Sequence, residues 1–380
     1  MSLINILCVF GTRPDAIKMA PVVLELRRRA HQFDVKVAVT GQHREMLDQV
    51  LCVFDITPDC DLNIMSHGAS LSDITTRALQ GLDPILARHP FDWVLAQGDT
   101  TTTFAAALGA FYRKVRFGHV EAGLRTGNRY DPFPEEMNRL LVTRLSSLHF
   151  APTSDSVANL LAEGISPETV LQTGNTGIDA LLTIAAREHS DENAEVQGIL
   201  DDPRRVILVT AHRRENWGAP MERIAQAIVQ IVEAHPDCVA VVPMHRNPIV
   251  RDTFVPMLAN HEQIRLIEPP DYVPFVKLQQ KATLILTDSG GVQEEAPSLG
   301  KPVLVLRETT ERPEGIAAGA AKLVGTVIAH IVDEAGRLLN SPEEYDRMAK
   351  SISPYGDGNA AKMICDSLAK STLPVNESNA

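Results

Sequence analysis

The chain has 380 residues, 44% of them hydrophobic, and a formal net charge of −12. That length exceeds what one hydrophobic core usually organises, so two domains are expected, and the acidic balance disfavours general binding to nucleic acid or to an anionic membrane. No apolar run approaches a membrane span, and the five scattered cysteines, without a CxxC, suit reduced thiols in a cytoplasm better than a disulfide framework.

The first residues carry no basic leader. Ile4–Phe10 is read as a first strand, ending at the turn Gly11-Thr12-Arg13-Pro14, and not as a signal peptide. Val35–Thr40, Trp93–Gln97 and Phe117–Val120 follow as strands of a first half; Ala16–Arg29, Glu45–Val53 and Thr101–Tyr112 have helical spacing between them. A second half repeats the pattern with strands Val206–Thr210, Val239–Pro243, Ile264–Ile267, Leu284–Thr287 and Val303–Leu306, and a helix over Met221–Ala234. Short apolar strands alternating with helices predict parallel sheets covered on both faces, an α/β fold. The pattern weakens in the charged stretch 185–204, so a linker is expected near 174–186. A helix over Asn359–Lys370 precedes a polar tail, Ser371–Ala380, expected to fray. These readings give domains 1–174 and 175–357, with 358–380 as a terminal helix and tail.

In doubly wound sheets ligands bind at the carboxyl ends of the strands, so the loops there carry the candidates. The stretch Asp288-Ser289-Gly290-Gly291 after Leu284–Thr287 is a glycine turn opening a short helix that stops near Pro297 and Gly300. Backbone N–H groups at such a turn can face an anion, which suits a nucleoside diphosphate. Glu295, one turn on, is placed to accept from a ribose diol, and Arg312 can add a charge-assisted contact. Other strand ends carry Arg13 and Lys18; Gly98-Asp99; His119, Glu121 and Arg125; and Ala211-His212-Arg213-Arg214-Glu215-Asn216. Each has a plainer reading. Ser-Gly-Gly is also an ordinary strand-to-helix turn, Asp99 could cap the helix at Thr101, and Glu135-Glu136 could be first-turn helix acids. Clustering at one end of the strands weighs against these readings jointly.

The blocks VFGTRPDAIKMAP, GQHREMLDQVL, GDTTTTFAAAL, GHVEAGLRTG, PFPEEMNR, TGNTGIDAL, TAHRREN, LTDSGGVQEEAPSLGKPVLVLRETTERPE and PYGDG, in order from Ile4 to Asp357, resemble the non-hydrolysing bacterial UDP-N-acetylglucosamine 2-epimerases. The resemblance implies a GT-B-like fold: two Rossmann-like doubly wound domains with the active site in the cleft between them, a homodimer, and a terminal helix crossing back to the first domain. It implies reversible epimerisation of UDP-GlcNAc to UDP-ManNAc at C2, through elimination of UDP to 2-acetamidoglucal and re-addition, for bacterial surface polysaccharide precursors. It implies no cofactor and no metal, in keeping with the lack of a GxGxxG fingerprint and of HExxH-like spacing. Carried over by motif, Asp99, Glu121, Glu135 and His212 match catalytic residues. Arg13, Lys18, Phe275, Ser289, Gly290, Gly291, Glu295 and Arg312 match substrate-binding positions. Gln42, His43, Arg213 and His245 match positions linked to a second UDP-GlcNAc that activates some relatives.

The chain departs from the family pattern in three places. Asp15 replaces a common Glu at what reads as a tolerant loop position; Pro270 replaces a Gln near the uracil; and the loop Met65-Ser66-His67-Gly68-Ala69 lacks an arginine found in some activated members. A GT-B glycosyltransferase, a hydrolysing epimerase releasing ManNAc and UDP, and a non-enzymatic sugar-nucleotide sensor stand as alternatives. The four intact catalytic positions argue against the last.

Overall fold

A computed structural model describes residues 3–41, 44–65, 68–187 and 193–371. It divides into two units: residues up to Ala180 together with those from Gly356 onward, and Leu181–Tyr355.

The first unit holds strands β1 (Ile4–Phe10), β2 (Phe33–Val39), β3 (Cys60–Asp61), β4 (Trp93–Gln97), β5 (Arg116–Val120), β6 (Leu148–Ala151) and β7 (Val170–Gln172). They form one parallel sheet in the order β3-β2-β1-β4-β5-β6-β7. β1 is buried from Ile6 to Phe10 and β4 throughout, because helices cover both faces of the sheet. Strand order reverses between β1 and β4, and there the fold opens its crevice. Two side-chain-capped helices start at that point. Thr12 and Asp15 form a reciprocal capping box on helix Arg13–Arg28, and Thr100 caps helix Thr101–Tyr112. Gly11 is required between them: a Cβ there would lie 2.1 Å from Thr40 Oγ1 and 2.6 Å from Thr102 Oγ1.

The terminal helix Ala360–Lys370 belongs to this unit and packs on helix Arg13–Arg28. Asp179 accepts from the amides of Ala360 (3.3 Å) and Ala361 (2.8 Å) at its start, and Arg29 pairs with Asp366 at 2.5 Å. Burial pushes the Asp179 carboxyl up to about 6, against those amides.

The second unit holds β8 (Arg205–Thr210), β9 (Cys238–Pro243), β10 (Ile264–Ile267), β11 (Ala282–Thr287), β12 (Val303–Val305) and β13 (Ala321–Leu323) in a parallel sheet ordered β10-β9-β8-β11-β12-β13. The order again reverses beside the first strand, between β8 and β11. Its apolar layers include Ile228, Ile231, Phe254 and Leu286 on one face of the sheet and Val206, Leu208, Leu278 and Ile285 on the other.

The division between units, Ala180 to Leu181, falls within the stretch 174–186 where a linker is expected, and that stretch is helical over Thr176–Ala185. Its apolar residues Ile178, Leu181 and Ile184 are buried, and that burial holds the segment in place. The charged region beyond also contains a helix, Ala194–Leu200, capped by Asn193 and burying Val196 and Ile199. The tail 372–380, and Ser66 and His67 of the loop that lacks the arginine, lie outside the described residues.

Candidate functional site

In the first unit the side chains gather around the reversal point. Lys18, on the second turn of helix Arg13–Arg28, places its Nζ 2.6 and 2.7 Å from the two carboxylate oxygens of Glu121, which is 103 residues away in sequence. Gln97, the last residue of β4, donates its side-chain amide to the same carboxylate. Glu121 follows β5 directly, is 8% exposed, and has φ of +63°. A side chain in the left-handed region costs on the order of 1–2 kcal/mol, and such strain concentrates where surrounding contacts fix a functional geometry. The plainer reading of Glu121 as a surface acid is therefore excluded.

Asp99 sits in the turn after β4. It does not cap the next helix, because Thr100 does. Its Oδ2 lies 2.8 Å from Arg139 Nε and 2.7 Å from Arg139 Nη2, while its main-chain carbonyl accepts from Asn138 Nδ2 at 2.8 Å. Arg139 also pairs with Glu136 at 3.0 Å, and Glu136 accepts from the amides of Thr126 and Gly127. Burial pushes Glu136 up, but those amides and Arg139 outweigh it and hold the group below its ordinary range. Glu135 opens the same helix, Glu135–Leu145, half-buried and without an ion pair among the described residues. One helical turn thus presents Glu135 and grips Asp99. His119, on β5, is 1% exposed; its Nε2–H donates to the Gly98 carbonyl at 2.8 Å, and burial pushes it down to about 3, so it is neutral.

Asp15 contradicts its reading as a tolerant loop residue. It lies in the first turn of helix Arg13–Arg28, 3% exposed, and accepts from the amides of Gly11 (3.4 Å) and Thr12 (3.2 Å) and from the Thr100 hydroxyl (3.2 Å). A longer Glu at this position would have to reorganise that box. Arg13 is the first residue of the helix, half-buried, with no ion pair among the described residues. Arg125 is held by Glu163 at 2.6 Å and plays a structural part.

In the second unit, helix Gly290–Ser298 begins at Ser289, whose side chain makes no capping bond; its own amide turns back to Thr287 Oγ1 at 2.9 Å. The first amides of the helix are therefore not satisfied by a cap, the condition under which a helix start receives an anion. Glu295 accepts from Gln279 Nε2 at 2.8 Å. Arg312 pairs with the buried Glu294. Phe275, on helix Tyr272–Lys281, is half-buried against the core. After β8, His212 stacks on His245 with ring centroids 5.1 Å apart and 11° between planes. Arg213 Nη2 lies 3.6 Å from where a Cβ on Gly290 would be, so the loop after β8 borders the glycine turn. Gln42 and His43 lie outside the described residues.

Sequence reasoning gave no holding role to Gln97, Arg139 or Asp288, and took Asp15 for a tolerant loop position. Asp288 carried a readable signal, a carboxylate directly closing an apolar strand. Among the described residues no group of three or more His, Cys, Asp or Glu could hold a metal ion, and no helix is long and apolar enough to cross a membrane.

Two parallel sheets, each with polar groups gathered where its strand order reverses, define an α/β protein built from two Rossmann-like units, as GT-B-like proteins are. The family profile described as UDP-N-acetylglucosamine 2-epimerase matches residues 25–369. The chain is 53% identical over 369 residues to the UDP-N-acetylglucosamine 2-epimerase of Salmonella typhimurium, covering 96% of this chain and 98% of that protein. A crystal structure of the Neisseria meningitidis UDP-GlcNAc 2-epimerase bound to UDP-GlcNAc superposes with a TM-score of 0.83 at 50% identity, covering 97% and 100% of the two chains. A co-structure of an S. aureus protein with UDP gives 0.84 at 44% identity, covering 96% of each. The chain belongs to the UDP-N-acetylglucosamine 2-epimerase family.

Proposed function

We propose that this protein interconverts UDP-GlcNAc and UDP-ManNAc by the non-hydrolysing route. The C2 proton is not α to a carbonyl, so direct abstraction is unfavourable. Instead a carboxylate removes it as the C1–O bond breaks; the C2–H electron pair forms the C1=C2 bond of 2-acetamidoglucal, and UDP departs with the C1–O pair. Proton delivery to the opposite face of C2 and attack of the diphosphate oxygen at C1 complete the inversion. The first unit supplies acid and base from Asp99, Glu121 and Glu135. The second retains UDP at Ser289, Gly290 and Gly291, with His212, Phe275, Glu295 and Arg312 as further contacts, while Arg13 and Lys18 add positive charge.

The observation that carries this reading is Glu121: buried, in a strained backbone conformation, and gripped by Lys18 and Gln97. An ordinary surface acid needs none of these. The test is incubation with UDP-GlcNAc in deuterated water, followed by NMR. UDP-ManNAc carrying deuterium at C2 is the expected product. Free ManNAc with UDP would instead mean hydrolysis, and an unchanged substrate would move the chain to transfer or sensing.

The same proposal takes in a homodimer, a cytoplasmic setting and supply of UDP-ManNAc to bacterial surface polysaccharide. It also takes in activation by a second UDP-GlcNAc near Arg213 and His245. Equal initial rates from UDP-ManNAc with and without a trace of UDP-GlcNAc would remove the activator from it.

A further inference from the structure

Asp288 closes β11 with no exposure to solvent. Its Oδ2 accepts from the amides of His212 (2.9 Å) and Arg213 (2.8 Å) and from Asn216 Nδ2 (3.0 Å), so one oxygen ties down the whole loop after β8. Its Oδ1 is buried and accepts no hydrogen bond. The group facing that oxygen is His212, whose Nδ1 lies 3.4 Å away. A buried carboxylate oxygen without a donor is costly, so the proton of the neutral imidazole resides on Nδ1. At 3.4 Å the pair is long for a charge-assisted bond, a separation that a ligand can tighten.

With Nδ1 carrying the proton, neutral His212 presents a bare lone pair on Nε2. That nitrogen repels a phosphate oxygen unless it too is protonated. The groups facing the ring are Asp288, His245 and Arg213. Burial depresses protonation of His212, Asp288 opposes this, and His245 and Arg213 add to the depression. His245 is exposed, and its Nδ1 accepts from the Asn247 amide at 3.1 Å. The free site therefore holds a neutral His212 near neutral pH. A diphosphate removes the imbalance by bringing negative charge to the ring's other nitrogen.

We infer that the second unit's site takes up one proton when it binds a nucleoside diphosphate, with His212 as the group protonated and Asp288 as the residue positioning it. The inference rests on the reading of these loops as a UDP site. It makes His212 an imidazolium in the complex, with Nδ1–H held by Asp288 and Nε2–H donated to the diphosphate, and it couples UDP retention to pH.

The experiment is calorimetric titration of the full chain with UDP near pH 8, where UDP itself is fully ionised, in HEPES and in Tris. The difference in heat between the two buffers counts protons. About one proton taken up per UDP is expected for the unaltered protein and almost none for His212→Asn. In Asp288→Asn the new side-chain amide donates to Nδ1 and moves the ring proton to Nε2, so UDP binds without uptake, as when the Asp of a Ser-His-Asp triad is replaced by Asn. UDP binding with equal heats in both buffers would overturn the inference and leave the nucleotide site standing. Uptake persisting in His212→Asn would assign the proton elsewhere and overturn it too. Absence of UDP binding to the unaltered protein would instead fail the nucleotide reading itself. Should Asp288→Asn not fold, the comparison of unaltered protein with His212→Asn decides alone.

Discussion

The strained backbone at Glu121 offers a test that separates geometry from charge. Glu121→Ala and Glu121→Gly both delete the carboxylate and both leave Lys18 and Gln97 without it, so their difference isolates the backbone. At φ of +63° an alanine Cβ keeps the left-handed penalty and glycine removes it. That penalty is about 1–2 kcal/mol, and the greater freedom of glycine in the unfolded chain returns part of it, leaving roughly 1 kcal/mol in favour of glycine. For a unit of this size the gap corresponds to about 2–4 °C in melting temperature. Thermal unfolding of the two variants, followed by circular dichroism, measures it. If Glu121→Ala melts at or above Glu121→Gly, the strain is absent and the reasoning that links it to function falls with it.

Glu121→Gln and Glu135→Gln are expected to bind UDP with little change while losing about 10²–10⁴-fold in turnover, the scale of a missing general acid or base; loss of UDP binding in both would reassign them to structural or substrate-holding roles. Asp15 gives a pH prediction. Burial, opposed by the bonds from Thr12 and Gly11 and aided by the charge of Asp99, pushes its carboxyl from 3.8 up to about 6. A carboxyl raised in the folded state contributes stability at low pH that is lost as pH rises through that value. Between about pH 5 and pH 8 the unaltered protein should lose on the order of 1 kcal/mol more than Asp15→Asn, measured by urea unfolding at each pH. Equal losses would mean that Asp15 titrates normally.

Much of the fold could be read from sequence because its central strands are buried on both faces and so appear as mostly apolar runs. Ile4–Phe10, Trp93–Gln97 and Ala282–Thr287 are of this kind. The strands passed over were short: β3 has two residues, β7 and β13 have three each and β6 has four, too few for a period to register. Helix Leu71–Arg88 was also passed over, although Ile74, Ala78, Leu82 and Leu86 repeat every fourth residue; Gly81 and Pro84 interrupt the pattern that would otherwise announce it. For the candidate site, the placement of polar residues at strand ends was legible, since it follows from the architecture alone. Their partners were not. Lys18 meets Glu121 across 103 residues, Arg139 meets Asp99 across 40, and Asp288 meets His212 across 76, and no local spacing encodes such pairs. Asp15 shows the cost: read as a loop position, it is a buried member of a helix cap.

Asp179 and the helix it caps at Ala360 and Ala361 bear on the order in which the chain can fold during synthesis. The second unit is one continuous stretch, Leu181–Tyr355, so every residue it needs has emerged before the chain is finished. The first unit begins the chain but closes only with its last helix, and its seven-stranded sheet waits with the side of helix Arg13–Arg28 uncovered until Ala360–Lys370 arrives. The usual rule that the domain made first is completed first is reversed here. Separated by 181 and 182 residues, the contacts from Asp179 to Ala360 and Ala361 are among the most distant in the unit, and pairings of that span form late because loop closure must precede them. The unit that is synthesised first is thus the last to be finished.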